Sequence, residues 1–128
     1  MPTPDEIRAT IDQYVARFSA GDAAGWVALF ADDARQEDPV GAPVNVGHDA
    51  IRAFFETTLT LGGPQLSFVR EPVIVGNEAM VFIQAIAGEG PTAAVVPFIC
   101  DHMVFADDAR ITSLRAFWDP ASMTIGAP

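Results

Sequence analysis

At 128 residues the chain has the length of one domain, 1–128, able to bury about two-thirds of the surface its unfolded form exposes and so to enclose a small pocket. Its seven basic residues, all arginine, face 17 acids and leave a formal net charge of −10; that argues against nucleic acid, which needs clustered Lys and Arg, and the lack of lysine excludes Schiff-base chemistry. No apolar run approaches the roughly 20 residues of a membrane helix, and the acidic start MPTPDEIR is no signal peptide, so a soluble, cytoplasmic protein without membrane insertion is expected.

The first predicted element is a helix opened by TPDE (3–6), a capping box with Pro4 at the first helical position. Ile7, Ile11, Tyr14, Val15 and Phe18 recur at helical spacing, and Gly21 supplies a stop. Asp22 can cap a short second helix whose apolar residues are Trp26, Leu29 and Phe30; QEDPVG (36–41) follows as a loop. A third helix is predicted from about His48 to Leu59, with Ile51, Phe54, Phe55 and Leu59 facing in and LGGP (61–64) ending it. After it the pattern is β: 66–75 broken by Pro72, a Gly76–Asn77 turn, 78–87, a GEGP turn, 92–105, a DDAR turn and 111–119. Helices followed by a meander predict an α+β fold with helices on one face of a curved sheet, and a pocket at its open end. ADDAR occurs at both 31–35 and 106–110, but the flanks differ, so this is no structural repeat.

Three polar residues stand out. Asp101 lies in PFICDHMVF (97–105), where an ionised carboxylate loses its hydration; it either finds a backbone or arginine partner, or keeps its proton and becomes a donor. Tyr14 is the only tyrosine beside nine phenylalanines, so its hydroxyl either meets a partner or touches water at the edge of the stripe. Asp38 precedes Pro39, which pushes it out of the α region; it is a turn residue or a carboxylate on the pocket rim. Together they supply one base and two neutral donors, the set that proton abstraction next to a carbonyl needs. Cys100 reads as a buried, inert thiol, and His48 and His102 lack metal-binding spacing.

The stretch VALFADDARQEDPVG (27–41) resembles the most characteristic segment of bacterial Δ5-3-ketosteroid isomerases. The likeness continues in order through YVARFSAGD (14–22), AIRAFFETTL (50–59), NEA (77–79), VVPFICDH (95–102) and LRAFW (114–118). It implies a cone-shaped fold of the nuclear-transport-factor-2-like (cystatin-like) kind, with three N-terminal helices on a mostly antiparallel sheet, and a homodimer through the outer sheet face. By the same resemblance Asp38 matches the general base, and Tyr14 and Asp101 match the oxyanion-hole pair; the protonated aspartic acid is carried over from the family. Phe30, Phe55, Phe82, Met103 and Trp118 would form the walls for a hydrophobic steroid, with Trp118 donating towards Asp38. No cofactor and no metal are implied. The implied reaction moves a proton from C4 to C6, turning a Δ5-3-ketosteroid into its Δ4 isomer.

One departure concerns Phe55, which stands where many family members have a tyrosine bonded to the first; Phe30 stands where some do. The network behind the oxyanion hole is thereby shortened, and slower turnover is expected. The alternative function is non-catalytic binding of a steroid or other hydrophobic small molecule, since this fold also hosts carriers. Polyketide cyclisation or epoxide hydrolysis on the same cone needs a different acid–base set, and no Asp–Arg–Asp arrangement is assignable.

Overall fold

The computed structural model describes residues 1–126. Helix α1 (Pro4–Ser19) starts as predicted: Thr3 N–H donates to Glu6 Oε1 at 2.9 Å and Thr3 Oγ1 accepts from Glu6 N–H at 3.1 Å. It ends at Ser19, and the chain turns away at Gly21, whose φ of +70° favours glycine. Asp22 caps the short helix α2 (Ala23–Val27) by accepting from Gly25 N–H at 2.9 Å. That approach explains Gly25, where a Cβ would stand 2.1 Å from Asp22 Oδ2. Helix α3 (His48–Thr60) buries Ile51 and Phe55, while Leu59, predicted to face in, is 42 % exposed.

Two strands lie where helix and loop were expected. Phe30 opens strand β1 (Phe30–Glu37) instead of closing the second helix, and β2 (Asn45–Val46) pairs antiparallel with it. FADDARQE has little intrinsic strand preference. It is extended because it pairs in parallel with β7 (Ile111–Phe117), matching Gln36 to Leu114 and Glu37 to Arg115. The remaining strands are β3 (Gln65–Phe68), β4 (Val73–Val75), β5 (Glu78–Ala87), β6 (Ala94–Phe105) and β8 (Thr124–Ile125). The sheet order is β2-β1-β7-β6-β5-β3, with β4 also on β5 and β8 on β6. The α+β class and the curved, mostly antiparallel sheet are thus as expected.

The core lies between the helices and the inner face of the sheet, where Ile7, Ile11, Trp26, Phe30, Val81 and Leu114 are fully buried. Strand alternation fixes that face: Ala79, Val81, Ile83 and Ala85 on β5 point in. On β6 a register shift between Ile83 and Ala85 changes the phase, because Ile83 pairs with Ile99 but Ala85 pairs with Val96. Ala94 and Val96 therefore share a face with Ile99, Asp101 and Met103, although their numbers differ in parity.

No helix among the described residues is long and apolar enough to cross a membrane. Cys100, expected inside, is half-buried on the outer face between its strand neighbours Phe82 and Phe117, and burial raises its thiol pKa. No His, Cys, Asp and Glu cluster suited to a metal occurs among the described residues.

Candidate active site

A cavity of about 400 Å³ opens between the helices and the inner sheet face, and Tyr14, Asp38 and Asp101 all line it. Each arrives by a different local rule. Tyr14 sits one turn beyond Ile11 and one before Phe18 on the buried stripe of α1. Asp101 is on the inward phase of β6, between Ile99 and Met103. On β1 the buried Ala34 and Gln36 alternate with the exposed Asp33 and Arg35; one step further in that phase is Asp38.

The loop carrying Asp38 is braced from several directions. Val40 N–H donates to Ala116 O at 2.8 Å. Glu37 accepts from Gly41 N–H at 2.9 Å and from Arg115 Nε at 3.0 Å, bonds that lower its pKa. On the inner side, the buried Gln36 accepts from Asn45 Nδ2 at 2.8 Å. Trp118 Nε1 donates to Asp38 Oδ1 at 2.8 Å, the contact expected from sequence.

The two aspartates differ in their surroundings. Asp101 is 1 % exposed, and its Oδ1 has no hydrogen-bond partner among the described residues. Burial, and then the charge of Asp38, push its pKa well above the usual carboxylate range. Neither a backbone nor an arginine partner lowers it, so of the two options open to the sequence the uncharged acid is favoured. Asp38 is half-buried: burial raises its pKa also, and the Trp118 N–H opposes that rise. The two values separate because one carboxylate has an N–H donor and the other has none. Tyr14 rises well above the ordinary phenol value through burial, then through the charges of Asp101 and Asp38, so it stays a donor.

Of the expected walls, Trp118 alone lines the cavity. Phe82 has the wrong strand parity; it stands on the outer face, its ring 6.1 Å from that of Phe98 and 5.0 Å below the Arg70 guanidinium. Phe30 and Phe55 are fully buried around Trp26, at centroid distances of 4.8 and 5.1 Å, and that indole is 5.5 Å from the Tyr14 ring. They pack behind Tyr14 rather than against a ligand. Met103, fully buried, lies one inward step past Asp101 and belongs to the core.

The walls missed from sequence come from the helical half and from small residues. Phe54, predicted to face in but not assigned as a wall, is followed by Thr58 and Leu61 at four- and three-residue spacing on and just beyond α3, a stripe that periodicity could have extended. Ile83, Ala85 and Ala87 line the opposite side on alternate positions of β5.

A SnoaL-like domain family model matches residues 11–114. A curated steroid Delta-isomerase from Nocardioides simplex is 35 % identical over 122 residues, covering 94 % of this chain and 95 % of that protein. A solved structure concerning the epoxide hydrolase/cyclase-like enzyme SalBIII, in pyran ring formation in the polyether salinomycin, aligns with a TM-score of 0.87 at 22 % identity, over 98 % of this chain and 99 % of that one. At that identity the structural likeness speaks for the fold alone. Matched by the family model across its helices and sheet, and aligned nearly end to end with a curated relative, the chain belongs to the SnoaL-like family of nuclear-transport-factor-2-like domains.

Proposed function

We propose that residues 1–128 act as one unit that isomerises Δ5-3-ketosteroids to Δ4-3-ketosteroids in the cytoplasm. The observation that carries this reading is Asp101, a fully buried carboxyl with an unpartnered oxygen, lining the same apolar cavity as Asp38 and Tyr14. The curated steroid Delta-isomerase relative supports the same substrate class.

In the proposed reaction Asp38 removes the C4 proton of the bound steroid. The C4–H electrons form the C3–C4 double bond of a dienolate, and the charge moves to O3. Tyr14 and neutral Asp101 donate hydrogen bonds to O3, stabilising charge that is absent in the ground state. The Asp38 carboxyl then returns the proton to C6 and the double bond settles at C4–C5. No outside acid or base is consumed. Trp118 holds the Asp38 carboxylate in place between the two transfers.

Incubating the protein with a Δ5-3-ketosteroid and following growth of conjugated-enone absorbance tests the reading. Tight binding without growth would instead establish a binding protein. Epoxide opening through an Asp–Arg–Asp set lacks support, because no arginine lines the cavity among the described residues.

Two further results are expected. Trp118→Phe removes the donor that lowers the Asp38 pKa. The acid limb of the kcat/KM profile should therefore move to higher pH; an unmoved limb would show that the indole does not tune the base.

The outer sheet face exposes Phe98 (50 %) and Phe117 (41 %), with Arg115 stacked on Phe117 at 5.2 Å. Such a patch favours the homodimer implied by the family resemblance. Phe98→Glu should turn a dimer into a monomer in sedimentation, since burying an unpaired carboxylate at an interface is strongly unfavourable.

A further inference from the structure

The cavity is polar at one end only. Tyr14 and Asp101 are 3 % and 1 % exposed, whereas Leu61 and Met123, which line the same cavity, are 70 % and 43 % exposed. Tyr14 and Asp101 therefore mark the closed end, and the other two mark the mouth.

The β5–β6 ladder measures the distance between them. Val81 pairs with Asp101 and Ala87 pairs with Ala94. Six steps of β5 at about 3.3 Å each make roughly 20 Å. A fused four-ring skeleton, built from bonds of about 1.5 Å, spans roughly 10 Å. With its C=O bond of about 1.2 Å and a hydrogen bond of about 2.7 Å to the closed end, a steroid held by its 3-ketone leaves about the outer third of this length unfilled.

That outer part is apolar. Ala85, Ala87 and Ala94 present single methyl groups, which leave width above the sheet, and Leu61, Pro64 and Met123 surround the opening. The one α3 hydroxyl that lines the cavity, that of Thr58, donates to Phe55 O at 2.6 Å and is already committed. An oxygen at the far end of a steroid would lose water there and gain no donor from a side chain.

We propose that the substrate carries an aliphatic chain at C17, the end of the nucleus opposite the 3-ketone, and that Leu61, Ala87, Ala94 and Met123 form its subsite. This rests on the ketosteroid reading above. The chain lies along the β5–β6 floor and leaves the mouth between Leu61 and Met123. Each methylene withdrawn from water there contributes about fourfold in affinity.

The test is a series of Δ4-3-ketosteroids, identical in the four rings and carrying hydrogen, oxo, ethyl or a branched alkyl chain at C17, used as competitive ligands. A parallel assay follows turnover of the matching Δ5 substrates. Affinity should rise with chain length, with the branched alkyl compound at least tenfold tighter than the 17-oxo compound. Leu61→Ser combined with Met123→Ser should cut that ratio several-fold. A 17-oxo compound that binds as tightly as the alkyl one, or a ratio unmoved by the double substitution, overturns the subsite. Absence of turnover for every Δ5 compound, with the alkyl preference in binding intact, overturns the isomerase reading while leaving the subsite standing as a ligand site.

Discussion

Replacing Asp38 with Asn is expected to lower kcat by about 10²- to 10⁴-fold while leaving the dissociation constant for a Δ4-3-ketosteroid within a few-fold of its starting value. Asn has nearly the same shape and can still accept the Trp118 N–H seen at 2.8 Å, so the pocket keeps its walls. It has no lone pair basic enough to take the C4 proton. The split between kcat and affinity is decisive, because a loss confined to the chemical step marks a group that acts only there. Equal losses in rate and affinity would mean that Asp38 shapes the cavity instead of serving as base. Rate and affinity are to be measured on the same preparation, with a melting curve to show that the fold is retained.

The second large effect separates what Asp101 does from what it costs. Asp101→Leu removes a donor from the proposed oxyanion hole and is expected to lower kcat by about 10²- to 10³-fold. Asp101→Asn keeps an N–H donor and should lose much less. Stability should move the other way. The pKa of Asp101 is raised well above its ordinary 3.8 by burial and by Asp38. The folded state therefore keeps this proton at a pH where the unfolded chain has released it. Such a group favours folding fully below its unfolded pKa, and that contribution is lost as pH rises towards the folded value. Asn does not titrate, so the difference in stability between Asp101→Asn and the parent should grow as pH rises from about 4 towards neutrality, in favour of Asn. Denaturant melts across that range give the slope directly. A difference independent of pH would mean that Asp101 is ionised in the folded protein.

Much of the helical half was legible because its signals are local. The Thr3 and Glu6 capping box, the Asp22 cap and the buried stripe of α1 each depend on residues within one or two turns. The segment 30–37 was read wrongly for the opposite reason. Its parallel partner, β7, lies some eighty positions away, and nothing in FADDARQE itself favours a strand. Phe82 illustrates a smaller error: the resemblance offered an aromatic wall, but the alternation of β5 puts that ring outside, stacked on Phe98.

The amino-acid order by itself determined the class of fold, the presence of an acid among apolar neighbours at Asp101 and, through the resemblance, the three residues proposed to react. Local periodicity and composition suffice for the first two of these. The tertiary structure alone decided that Tyr14, Asp38 and Asp101 line one cavity, that the half-buried Asp38 is bonded by the Trp118 indole, and that the cavity extends along β5 and β6 as far as Ala87 and Ala94. The physical reason is that burial depends on residues distant in the chain. The register shift between Ile83 and Ala85 brings Ala94 and Val96 onto the face of Asp101, and only the pairing of β5 with β6 reveals it.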